Sequence, residues 1–161
     1  MNMSNRSDDV RPVIASEVAP RVTKSNYPAP FAARMNGRTK RPLGVLFGLN
    51  AVGVNLTTLD PGAASALHHA HSWQDEFVYV IEGQPTVVID ETEHLLEPGM
   101  CVGFPAGGPA HHLHNRSDHP ATYLEFGDRT AGDQVEYPSD DLRAEMGPNG
   151  WTFMHKDGRP W

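Results

Sequence analysis

The sequence predicts an all-β domain, a sandwich or barrel of short strands preceded by an extended N-terminal arm. Three observations carry that expectation. Apolar runs of about strand length recur from Leu43 to Phe126, with turn residues between them. No stretch of useful length in that range repeats its apolar residues with helical period. Fourteen prolines and fifteen glycines in 161 residues favour turns over a helical bundle. The length suits one domain large enough to bury a single core.

Residues 1–42 read as the arm. The first twelve are polar and expected to be mobile. Pro12, Pro20, Pro28, Pro30 and Pro42 then leave little room for helices and suit an extended path with short strands. Residues 43–126 read as the barrel. Its runs are LGVLFGL (43–49), VGVNLTTL (52–59), EFVYVI (76–81), PTVVID (85–90), HLL (94–96), MCVGF (100–104), HHLHN (111–115) and ATYLEF (121–126). Asp60-Pro61-Gly62, Gly83, Pro98-Gly99, Gly107-Gly108-Pro109 and Ser117-Asp118-His119-Pro120 punctuate them. Residues 127–161 read as an acidic, turn-rich extension. Asp140 to Met146 is expected to form one short helix, and the ending WTFMHKDGRPW to fold back on the barrel, covering Trp151, Phe153 and Trp161.

The net charge of −7 is unevenly spread. Residues 1–41 hold eight Lys/Arg against three Asp/Glu, a net +5, and the rest holds five against seventeen, a net −12. A basic arm beside an acidic body is expected to lie on that body or on a second copy of it. Nucleic acid is not the expected partner, because the arm has no folded reading element and the body repels phosphates. Cys101, the single cysteine, excludes an internal disulfide framework, fits a reducing cytoplasm and reads as a small core residue. No run approaches the roughly 20 apolar residues of a membrane span, and the N-terminus carries no apolar stretch of signal-peptide length.

Six of the nine histidines fall in two groups: His68, His69 and His71, then His111, His112 and His114. On a strand, residues i and i+2 share a face, so His69 and His71 can converge on one ion. In EFVYVI, Glu76 shares a face with Val78 and Val80. If those valines point inward, Glu76 does too, and a buried carboxylate needs a cation to offset its lost hydration. His111 shares a face with Leu113, the apolar member of its run, which selects it over His112 and His114. Three histidines and a carboxylate leave one or two positions open on a divalent metal with five or six sites. His68, His112, His114, His94, His119 and His155 read as surface residues. Asp75 points outward if Glu76 points inward. Trp73 and Phe104 read as rim or core packing. Tyr123 and Glu125 on the last run are candidates for an acid or base, with which of them faces the pocket left open.

These residues resemble the two motifs of the cupin superfamily of small β-barrels. The first reads Gly62, His69-Ala70-His71, SWQD, Glu76, FVYVIE, Gly83. The second reads Gly99, MCVGF, Pro105-Ala106-Gly107, GPA, His111, HLH, Asn115. Spacers differ from the usual pattern by one residue in each motif. The resemblance implies a double-stranded β-helix, or jelly-roll, barrel with His69, His71, Glu76 and His111 as ligands of one divalent ion (Zn, Fe, Mn or Ni), and Glu76 as the catalytic side chain. The whole chain is similar to stand-alone bacterial cupins described as sugar-phosphate-isomerase-like or mannose-6-phosphate-isomerase-like. That implies a metal-dependent enzyme acting on a small polar metabolite, with Arg34, Arg38, Lys40 and Arg41 as candidate phosphate contacts. A non-haem Fe(II) dioxygenase and a non-catalytic ligand- or metal-binding module are the alternatives. A homodimer is expected, with the arm exchanged or packed across the interface.

Overall fold

The computed structural model describes residues 10–22 and 25–161. The expected mobile start therefore falls largely outside the described residues, as do Arg6, Asp8, Asp9 and Lys24 of the basic arm. Two short 3-10 turns, Ala15–Glu17 and Phe31–Met35, interrupt the arm. It then enters the first strand, β1 (Arg38–Arg41), so the sheet begins before Leu43. The run at 43–49 is not a strand. It forms a single helical turn, α1 (Leu43–Leu46), followed by Gly48 at φ +66°. Its physical role is the hairpin connection from β1 to β2 (Val52–Leu59), and the packing of Gly44 against the β2 backbone outweighs its apolar pattern.

The remaining strands are β3 (Ala70–His71), β4 (Glu76–Glu82), β5 (Thr86–Ile89), β6 (Thr92–Leu95), β7 (Cys101–Phe104), β8 (His111–His114), β9 (Ala121–Asp128), β10 (Gln134–Tyr137), β11 (Leu142–Gly147) and β12 (Gly150–Met154). They are antiparallel throughout. One sheet has the order β1-β2-β9-β4-β7, a second β6-β5-β8, and a third β12-β11-β10-β3. The first two face each other as a jelly-roll barrel. Val80, Leu59 and Tyr123 are fully enclosed between them, with Val78, Val87, Phe104 and Leu113. Each such aliphatic side chain contributes about 1.5–3 kcal/mol by leaving water.

The segment Asp140–Met146 forms no helix: Asp140 and Asp141 lie in a turn, and strand β11 begins at Leu142. Leu142 and Ala144 alternate inward and meet Val135, Tyr137, Phe31, Met35 and Leu67 in a second core cluster. The C-terminal extension and the arm thus share a core beside the barrel, with Trp151 and Phe153 packed against it. Cys101 is exposed rather than buried. It pairs with Tyr79 in the register, and Tyr79 lies on the outer face of β4. Gly83 ends β4 at φ +76°, and a Cβ there would lie 2.5 Å from Pro120 O, so no side chain fits.

Candidate functional site

The side chains that face the barrel interior follow from strand alternation. Glu76, Val78 and Val80 turn inward from β4, and the register sets Glu76 opposite Gly127 on β9. His69 bridges His111 through paired backbone hydrogen bonds, so the first histidine segment lies against β8. His71 follows in β3, which pairs with β10. Thus three separate chain segments bring His69, His71 and His111 to Glu76.

The Nε2 atoms of the three rings surround a single carboxylate oxygen. Glu76 Oε2 lies 2.9 Å from His111, 3.3 Å from His69 and 3.5 Å from His71. Ligand atoms of His69, His71 and Glu76 all lie within 4.8 Å of one another. The opposite ring nitrogens fix the tautomers. His69 Nδ1 donates to Leu67 O at 2.8 Å, and His111 Nδ1 donates to Pro109 O at 3.2 Å. His71 Nδ1 lies 2.6 Å from Asp133 Oδ2. A carbonyl oxygen only accepts, so the proton sits on Nδ1 and the neutral ring turns its Nε2 lone pair to Glu76. Three lone pairs and a carboxylate then point at one place. A bound metal ion relieves that crowding of acceptors, as protons on Nε2 do without one. The donor set, imidazole nitrogens and one carboxylate, fits a divalent first-row ion with positions left open. Burial works to raise the Glu76 carboxyl. When the rings carry a second proton on Nε2 instead, hydrogen bonds from His111 and His69 and the charges of His69 and His71 outweigh burial and hold the carboxyl well below its usual range.

Asp133 was not among the residues singled out in the sequence. It is fully buried, and besides His71 it accepts hydrogen bonds from Ser72 Oγ at 3.2 Å and Trp73 N at 2.8 Å. A signal for it exists. Asp133, Val135 and Tyr137 alternate, so a carboxylate shares the inward face of two apolar residues. Carboxylates behind metal-binding histidines orient the ring and raise its basicity. Asp75 is exposed and accepts from Ala106 N at 2.8 Å, as expected for the outward neighbour of Glu76. Phe104 stacks on His111 with ring centroids 3.5 Å apart, while Trp73 lies exposed. His94 and His119 are exposed, whereas His155 is half-buried, stacked on Trp161 at 4.0 Å.

The centre opens into a cavity of about 730 Å³. Tyr123 and Glu125 both face it, since residues two apart on β9 share a face. Lys40 Nζ lies 2.6 Å from Glu125 Oε1, and Asn55 Nδ2 donates to the same oxygen at 2.9 Å. Burial pushes the Tyr123 phenol well above its ordinary value, aided by the charge of Glu125, so it stays protonated. Of the four arm cations, Arg38 and Lys40 line the cavity. Arg34 and Arg41 do not: Arg34 pairs with Asp140 at 2.6 Å, and Arg41 donates to Ser16 O at 3.0 Å. Strand alternation explains the split between Lys40 and Arg41. Arg21 and Arg129 add to the lining. Among the described residues, no helix is long and apolar enough to cross a membrane.

Comparison with known proteins agrees with this architecture. A family model described as a cupin domain matches residues 55–127. A cupin-superfamily sugar phosphate isomerase from Silicibacter pomeroyi has a similar solved structure. It is 41% identical over 94% of this chain and 96% of that one, with a TM-score of 0.88. A candidate sugar phosphate isomerase from Acidithiobacillus ferrooxidans is 28% identical over 81% of this chain and 92% of its own, with a TM-score of 0.71. The polyketide cyclase RemF from Streptomyces resistomycificus, 19% identical over 74% of this chain and 80% of its own, shares the fold at a TM-score of 0.61. No protein of curated function matches the chain by sequence. Motifs, barrel topology and a 41% identical relative aligned over nearly its whole length lead to one family: the chain belongs to the cupin superfamily.

Proposed function

We propose that the chain is a metal-dependent cupin that acts on a small polar, phosphorylated metabolite in an isomerase-type reaction. One observation carries the reading: three imidazole Nε2 atoms directed at Glu76 Oε2 at the base of a polar cavity. His69, His71, Glu76 and His111 would hold one divalent ion, of zinc, iron, manganese or nickel. Such an ion, when bound, supplies Lewis acidity that polarises a carbonyl or hydroxyl. Leu67 O, Pro109 O and Asp133 hold the three rings in place for it.

The chain's own groups suit the rest of the task. Isomerisation needs a side chain that takes a proton from one carbon and returns it to the next. Glu76 is the ligand carboxylate. Glu125 is the second carboxylate on the inner wall, diagonal to it across β4 and β9, and Lys40 and Asn55 fix its position. Tyr123, kept neutral by burial, can donate a hydrogen bond to a substrate oxygen. Arg21, Arg38, Lys40 and Arg129 give the cavity the positive character that a phosphate requires. The 41% identical relative, itself described as a sugar phosphate isomerase, supports this substrate class.

The test is to load the protein with each metal in turn and titrate aldose and ketose phosphates against it, with inorganic phosphate and the free sugars as controls. Binding that depends on both the metal and the phosphate, followed by interconversion, is the expected result. Absence of binding and turnover across the panel rejects the reading. The same donor set also accommodates Fe(II) with sites for oxygen. Oxygen uptake by the iron-loaded protein on adding a substrate would favour a dioxygenase, and tight binding without any turnover a binding module.

A further inference from the structure

We propose that Arg129, aided by Arg21, anchors the anionic end of the metabolite over a floor of bare backbone, and that this anchor sets the metabolite's length; this rests on the phosphorylated-metabolite reading above. The inward face of β9 runs Tyr123, Glu125 and Gly127, and alternation carries it on to Arg129, one residue past the strand end. Arg129 N–H donates to Ala51 O at 3.1 Å, which fixes the backbone there. A Cβ built on Gly53 would lie 3.7 Å from Arg129 Nε and 3.8 Å from Nη2. The guanidinium therefore lies over the place where Gly53 has no side chain.

Arg21 and Arg129 differ from the other cations of the chain. Among the described residues, every other arginine and lysine has a partner. In the cavity, Lys40 is held by Glu125, and Arg38 donates to Ser65 O. Arg21 and Arg129 form no hydrogen bond or ion pair through their side chains among the described residues, and both line the cavity. Asp128 is the carboxylate next to Arg129 in sequence, but backbone groups occupy it. Its Oδ2 accepts from Asp75 N and its Oδ1 from Thr130 N, each at 2.8 Å. In a chain of net charge −7, an arginine kept clear of carboxylates suits an incoming anion. Its planar fork of N–H groups matches a phosphate.

The floor joins this anchor to the candidate metal centre. Gly53, Gly127 and Glu76 stand in one row across β2, β9 and β4. A Cβ on Gly127 would lie 3.7 Å from Glu76 Cγ. Side chains at either glycine would therefore fill the path from Glu76 to the guanidinium. Two strand spacings, about 9–10 Å, separate Gly53 from Glu76. A sugar phosphate of five or six carbons spans that distance between its carbonyl and its phosphate. A triose phosphate, with only two carbon–carbon bonds of about 1.5 Å each, falls short. The anchor therefore selects pentose and hexose phosphates.

Calorimetric titration of the full chain tests the anchor. The first probe is inorganic phosphate with metal-free protein, so that no ion takes up the anion. Millimolar binding is expected, weakened about tenfold or more by Arg129→Ala and by Gly53→Val. Gly53→Val keeps both guanidiniums and fills the floor, and its Cβ has no neighbour nearer than 3.5 Å, so the strand should accept it. Arg34→Ala, at an exposed arginine paired with Asp140, should change nothing. Circular dichroism should be the same for all three variants. The second set of probes is dihydroxyacetone phosphate, ribose 5-phosphate and glucose 6-phosphate with manganese-loaded protein. The two longer compounds should bind about tenfold more tightly than the first, and Arg129→Ala should erase the gap. Phosphate binding that survives Arg129→Ala or Gly53→Val overturns the anchor and leaves the phosphorylated-metabolite reading standing. So does a triose phosphate bound as tightly as the longer two. An unaltered protein that binds none of these phosphates overturns both.

Discussion

His68 and His69 are consecutive, as are His111 and His112, so two histidine pairs sit on the same two backbone segments and face opposite ways. On the inner face each ring is tethered from behind by an acceptor on Nδ1, and each Nε2 is turned to one carboxylate. On the outer face the Nδ1 atoms of His68 and His112 meet each other at 3.0 Å, with the rings nearly perpendicular. One pair is a hydrogen bond between two rings. The other belongs to a candidate ligand set. What separates them is the partner of the second ring nitrogen, for it decides which lone pair is presented and where.

The strongest way to break this comparison is to exchange the outcome of substitutions on the two faces. His71→Ala and His111→Ala should each abolish stoichiometric metal, which elemental analysis would read as a fall from about one ion per chain to near none. His112→Ala should leave the metal content unchanged. Equal losses from both faces would dissolve the distinction.

The next effect is on the tether. Asp133→Asn keeps the volume but removes the carboxylate behind His71. Metal affinity should fall about 10- to 100-fold, measured by competition with a chelator of known affinity. An Asp133→Asn protein that binds metal as tightly as before would show that ring position does not depend on this carboxylate.

The smallest effect is on the outer face and concerns acid stability. Burial, with help from the charges of His68 and His114, lowers His112 to about 4. The unfolded chain has an ordinary value near ~6.5. Between these values the unfolded chain holds more protons, so stability is full above about pH 6.5 and declines as the pH falls toward 4. Because the ring is partly exposed, the loss is about 1 kcal/mol at most. Urea denaturation at pH 7 and pH 5 should show a smaller decline for His112→Gln than for the unaltered protein. An identical decline would place the proton uptake elsewhere.

Much of the centre was legible because its geometry is local. His69 and His71 are two apart, and Glu76, Val78 and Val80 alternate, so period two alone orients them. His111 followed from its neighbour Leu113. Asp133 escaped because its partner is 62 residues away, and only the pairing of β3 with β10 brings them together. Hairpin pairing with β10 and β12 turned the stretch from Leu142 into a strand, although Asp140–Met146 carries the composition of a short helix. LGVLFGL failed in the opposite direction. Its apolar residues reflect a surface beside β2 rather than a place in the ladder. Cys101 was misplaced because its strand is at a sheet edge, where alternate residues face outward on a sheet whose exterior is itself apolar.

The pairing of β3 with β10 has a further consequence for protein synthesis. His69, His71, Glu76 and His111 leave the ribosome well before Asp133 and the strands after it. Until that last fifth of the chain emerges, β3 has no neighbour and the His71 ring has nothing behind it. A chain truncated after the barrel would therefore keep all four candidate ligands but lose the carboxylate that fixes the His71 ring, so the C-terminal extension completes the centre that the barrel begins.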